Sequence, residues 1–235
     1  MPALNKPLTI LLIICTSFGA YCQKAAPILI APVIIDTVEV KQTSTVTRML
    51  WLNDTITVGA LVEPIDIDTA ELLKMKRAFK DDSPINDKEI AELKANIKTG
   101  AQNCYSYALE KYFAHHSSFN QTLFSQTTGI DRPSAEAILS KYFSSIDSFS
   151  TDSKQDLKKQ LPNNVLVGFV NKENWTTHLV YYNEGVFYSK NGVFKPIEFK
   201  SLKKFLKESY IYTQQIVLYR IDEDKVKDYI QEDNF

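Results

Sequence analysis

The 235-residue chain is short of several things, and each shortage excludes a class of protein. Gly 7 and Pro 9 are too few for a collagen-like or low-complexity polymer. Three cysteines cannot build a dense disulfide scaffold. An excess of one charge is missing too: Lys+Arg 27 against Asp+Glu 28 leaves a net charge of −1, which argues against a nucleic-acid binder. What is present is ordinary for a folded protein, with 44% hydrophobic and 23% charged residues and many Tyr and Phe. At roughly 100–200 residues per domain, one domain with a small appendage is expected, as a monomer. Nothing in the composition asks for a cofactor or a metal.

Residues 1–22 read as an export signal. Lys6 is the basic start, and residues 8–20 (LTILLIICTSFGA) carry no charge. That stretch is shorter than the roughly 20 residues of a transmembrane helix, so no integral membrane span is expected. Cleavage after Ala20 or Cys22 would send the mature chain to the periplasm or outside the cell. Cys15 and Cys22 then leave with the signal or stand at its edge, and Cys104 becomes a thiol without an internal partner.

Residues 23–65 are strand-like and read as an N-terminal β-rich segment or propeptide. Pro27 and Pro32 demote 28–35 to an edge strand or linker, and Leu52-Asn53-Asp54 turns a hairpin between 43–51 and 55–61. From residue 66 to 235 helices come first: an apolar stripe over 72–79, then 86–98, a helix from Cys104, 133–146 and 152–161. Strands follow at 165–170, 177–182, 186–189, 196–199 and 215–221, with helices at 201–209 and 224–230. Helices grouped ahead of antiparallel strands predict an α+β fold, N-terminal helices packed on a C-terminal sheet.

One constellation carries chemistry. Asn103 suits a helix N-cap, which sets Cys104 at the first helical position, where free backbone N–H groups favour a thiolate or an oxyanion. Gln102 can add a donor and Tyr105 can line a cleft beside the sulfur. A thiol nucleophile needs a base, and only three histidines are available. His115 and His116 lie at least 11 residues along the same helix, about 16 Å away at 1.5 Å per residue. His178, at the start of a strand, is the remaining candidate. If Glu184-Gly185 alone forms the following turn, His178 lies opposite Asn191; if Asn183 joins the loop it faces Lys190, and a further slip brings Ser189 across. Asn191 can accept from the ring and is the favoured orienting residue, with Ser189 behind it.

A helix opening on Cys, then a histidine on an antiparallel strand, then a polar residue on the next, resembles the papain-like superfamily, most of all its NlpC/P60-type branch. The residues that carry the likeness are Cys-Tyr-x-Tyr-Ala at 104–108, His178, and Tyr-Ser-Lys-Asn-Gly at 188–192. The resemblance implies a thiol hydrolase acting on amide bonds of peptides or peptidoglycan, with Cys104 attacking, His178 as base and Asn191 orienting it. An acyltransferase using the same pair, and a non-catalytic exported binding protein, are the alternatives. The latter requires Cys104 to be inert and His178 saturated by core hydrogen bonds.

Overall fold

A run of uninterrupted apolar residues, Val-Leu-Val-Gly-Phe-Val, forms the centre of the molecule as strand β8 (Val165–Val170), buried at every position. A strand buried on both faces must be covered from both sides, and the order of elements shows how. The computed structural model describes residues 26–40, 44–61, 70, 73, 77, 86–97, 101–153, 155–192 and 194–232. The expected export signal and most of the 72–79 stripe lie outside these.

The chain begins with β1 (Ile28–Ile30), β2 (Val33–Val40), β3 (Ser44–Trp51) and β4 (Asp54–Leu61). Helices α1 (Asp87–Ile97) and α2 (Cys104–Ala114) follow, then β5 (Phe119–Gln121) and β6 (Thr128–Ile130). Helix α3 (Arg132–Tyr142) runs directly into β7 (Phe143–Ser150), and a 3-10 turn at Asp156–Lys158 precedes β8. β9 (Thr176–Asn183), β10 (Val186–Ser189), β11 (Ile197–Phe199), α4 (Leu202–Ser209), β12 (Gln215–Ile221) and α5 (Glu223–Glu232) complete it.

The main sheet is antiparallel and six-stranded, in the order β11-β10-β9-β8-β12-β7. One face, with Leu166, Leu179 and Tyr181, packs on Ala108, Leu109 and Tyr112 of α2. The opposite face, with Val167, Phe169, Val180 and Tyr182, packs on Leu202, Phe205 and Leu206 of α4. A four-stranded sheet, β2-β3-β4-β6, lies beside α2 and α3, and buries Trp51, Ile56 and Val58 in the same cluster as α2. The described part of segment 23–65 therefore shares its core with the rest of the chain.

The expected fold class is overturned. Strand outweighs helix, and the helices are scattered among the strands instead of forming an N-terminal group laid on a C-terminal sheet in the papain-like, NlpC/P60-like manner. The reason is local. β5 (Phe-Asn-Gln) and β6 (Thr-Gly-Ile) are three-residue strands too short for a readable period, yet β6 extends the sheet of β4. Residues 143–150 continue no helix: four serines there disfavour helix interior, and β12 offers a pairing edge along the whole length of β7. The helix expected at 152–161 is reduced to the 3-10 turn.

Candidate functional site

Helix α2 starts where its cap dictates. Asn103 Oδ1 accepts from the Ser106 N–H at 3.2 Å, Ser106 Oγ accepts from the Asn103 N–H at 3.1 Å, and Asn103 Nδ2 donates to the Ile130 carbonyl at 2.6 Å. Cys104 thus opens the helix with its sulfur against the backbone N–H groups of Leu179 and Tyr105 and its own. Those donors, and the nearby Lys190 charge, favour the thiolate. Burial opposes them and wins, pushing the thiol up to about 11.

The two proposed helpers of the thiol are committed elsewhere. Gln102 is buried and donates through Nε2 to Glu110 Oε2 at 2.5 Å. Tyr105 donates its hydroxyl to the Thr176 carbonyl at 2.6 Å, tying α2 to β9.

His178 is 2% exposed and sits on β9 one residue before Leu179. Successive strand residues point to opposite faces, so the Leu179 side chain joins the α2 face while the imidazole enters the α4 face. There it stacks on Tyr210, 4.3 Å between ring centroids, and touches Phe169 and Phe205. Both ring nitrogens are engaged: Nε2 with Ser189 Oγ at 2.8 Å, and Nδ1 with Tyr210 Oη at 2.9 Å.

The protons of this network can be assigned. Tyr210 has one hydroxyl proton and donates it to Asn191 Oδ1 at 2.5 Å. Nδ1 must then donate to Tyr210 Oη, which leaves Nε2 to accept from Ser189. Burial holds His178 neutral, pushed down to about 3. The hairpin β9–β10 has the two-residue loop Glu184–Gly185, φ +48° and +81°, with Asn183 paired to Val186. Of the alternative registers, this is the one that carries Asn191 toward His178, and Tyr210 bridges the two. Lys190 turns to the carbonyls of Gly192 and Phe194, at 2.6 and 2.9 Å.

Ser189, His178 and Asn191 are thus brought together around Tyr210, whose hydroxyl also feels the charge of Cys104. Tyr210 is the residue that sequence reasoning missed. The one available signal was Tyr-Ile-Tyr-Thr at 210–213, aromatic and apolar residues between a helix and a strand without either period. That loop is firmly held at its base. Tyr210 N–H caps α4 through the Leu206 carbonyl, Gln214 N–H donates to the Val170 carbonyl at 2.8 Å, and Thr151 Oγ1 donates to the Thr213 carbonyl at 2.8 Å. Its tip is open, with Tyr212 83% and Ile211 47% exposed. A hollow of about 590 Å³ lies on one side, lined by Asn171, Thr177, Tyr210, Tyr212 and Gln214 among others. A second, of about 540 Å³, borders the same loop and reaches Ser150, Thr151 and Asp152.

The remaining histidines have structural partners. His115 Nδ1 is 2.8 Å from the Lys111 carbonyl, and His116 accepts from the Ser118 N–H at 3.2 Å while stacked on Tyr112 and Phe119. Among the described residues no three His, Cys, Asp or Glu side chains are grouped to hold a metal, and no helix is long and apolar enough to cross a membrane. Compared with protein families, curated proteins and solved structures, the chain matches none.

Proposed function

We propose that this is an exported, non-catalytic binding protein whose recognition surface is the loop 210–214 with its flanking hollows, taking a peptidoglycan-type ligand. The observation that carries the reading is the commitment of both His178 nitrogens to Ser189 and Tyr210, in a buried network that stiffens the base of that loop. A thiol hydrolase needs an imidazole free to take the proton of sulfur. Here both nitrogens of the base are engaged, and burial raises the thiol well above its ordinary value.

The lining supports this ligand class. Gln214 and the amide nitrogen of Asn171 offer polar groups, the Asn171 oxygen and the Thr177 hydroxyl proton being already bonded to backbone, and Tyr212 offers an open ring for the C–H face of a sugar. Lys172 and Glu173 neutralise one another at 3.5 Å, so the hollow has no dominant charge to attract an ion.

The test is calorimetric titration with a soluble disaccharide-peptide fragment of peptidoglycan. Binding weakened about tenfold by Tyr212→Ala or Gln214→Ala, with no turnover of the fragment, supports the reading. Fragment cleavage or acyl transfer that vanishes in Cys104→Ala would replace it with the thiol-enzyme alternative.

A further inference from the structure

Seven of the twelve exposed large apolar side chains among the described residues fall within 28–40. Five of them lie on β2, where Val33, Ile34 and Val40 are 62%, 67% and 73% exposed. β2 is also the edge of its sheet, with β3 on one side and no strand on the other among the described residues. The strand is eight residues long and holds neither Lys nor Pro, two of the usual means of blunting such an edge. A patch of this kind marks an interaction surface.

We propose that β2 pairs antiparallel with β2 of a second copy of this chain, about a two-fold axis at Thr37, joining two four-stranded sheets into one. The occupant must bring a strand, because a lipid surface or small ligand leaves the ladder groups unmet. That the strand is a second copy follows from self-complementarity. Pairing with β3 sets Ile34, Thr37 and Val40 opposite Met49, Thr47 and Thr45, on one face, and Val33, Asp36 and Glu39 opposite Leu50, Arg48 and Val46, on the other. A two-fold axis normal to the sheet keeps each face on its own side. With Thr37 opposite itself, Ile34 faces Val40 of the second copy, Asp36 faces Val38 and Ile35 faces Glu39. No carboxylate meets a carboxylate, and Asp36 is already bonded to Arg48 Nε at 2.8 Å within its own protomer.

The assembly closes at two. β6, at the other edge, is three residues long and leads into α3, so it offers no equal surface. Once β2 is paired on both sides it has no edge left for a third copy, and the irregularities at Ile34/Asp36 and Thr37/Glu39 add only local twist. This stands against the monomer expected from the sequence and is independent of the ligand proposed above.

Sedimentation velocity of the full chain over a concentration series tests it. The wild type should sediment as a dimer, and Ile34→Lys or Val40→Lys should weaken association at least about tenfold without changing the circular dichroism spectrum. Thr37→Cys, in a chain with Cys15, Cys22 and Cys104 replaced by Ala, should give a covalent dimer on mild oxidation, because directly opposed strand residues have disulfide spacing; off-axis Val33→Cys should not. A chain monomeric at every concentration overturns the proposal. So does a dimer that neither lysine variant weakens and Thr37→Cys does not lock. Should the lysine variants fail to fold, the cysteine pair decides.

Discussion

Cys104 and His178 are neighbours of one strand backbone, and burial acts on both in the direction that silences chemistry. The thiol is raised to about 11 from an ordinary value of 9.0, so native protein near pH 8 should hold about a hundredfold less thiolate than a free cysteine. Iodoacetamide should accordingly label Cys104 much more slowly than it labels glutathione, and at the free rate in urea. His178 makes a second measurable statement. Unfolded, it titrates near 6.5; folded, it is held to about 3, so acid favours the unfolded chain, which binds the extra proton. Its contribution is complete above pH 6.5 and is lost as pH falls from there toward 3, on the order of 5 kcal/mol at most. The urea midpoint should fall further between pH 7 and pH 4 for the wild type than for His178→Gln, and an equal fall in both would remove the argument. Tyr210→Phe deletes the hydroxyl shared by His178 and Asn191. Leaving those two partners unmet should cost about 1–3 kcal/mol in urea unfolding, with the Ile211–Tyr212 tip loosened, visible as faster amide exchange.

Among the elements, the most legible were those whose signals are short-range. Asn103 as cap and Cys104 as first helical residue follow from side-chain chemistry alone, and Asn103→Ala should lower stability by about 1 kcal/mol, more if the lost bond to Ile130 matters. Gly185 and its turn were equally readable, since a two-residue loop with positive φ suits glycine. Gly129 was not readable: a Cβ there would come 2.6 Å from the Ala101 carbonyl oxygen, a contact made by a segment 28 residues away. Gly129→Ala should destabilise the chain by about 1–3 kcal/mol through that backbone clash, checked by thermal melting. β5, β6 and β7 escaped for the same reason. Their strand state comes from β1, β4 and β12 alongside them, and a three-residue strand carries too few side chains to show a period.

For the molecule as a whole, the two clusters on either face of the six-stranded sheet are tied through β8 and β9, so no part of the described chain has a core of its own. Trp51 shows this best. It lies in the segment that reads as a propeptide, yet it is fully buried against Phe113, Phe124 and Tyr142. Trp51→Ala should cost about 3–5 kcal/mol, and a chain beginning at residue 62 should lose its cooperative thermal transition, whereas a removable propeptide would leave it intact.

Composition, the three histidines and the thiol at the head of a capped helix single out Cys104 and His178 from the sequence by itself, because residue type and spacing limit what a helix or a turn can do. Whether an imidazole meets sulfur or a tyrosine hydroxyl is a different kind of question. It depends on which face of β9 each side chain leaves, how far α4 carries Tyr210 back across the sheet, and how much water remains around each group. Those are consequences of contacts between residues dozens of positions apart, and no local pattern in the chain encodes them.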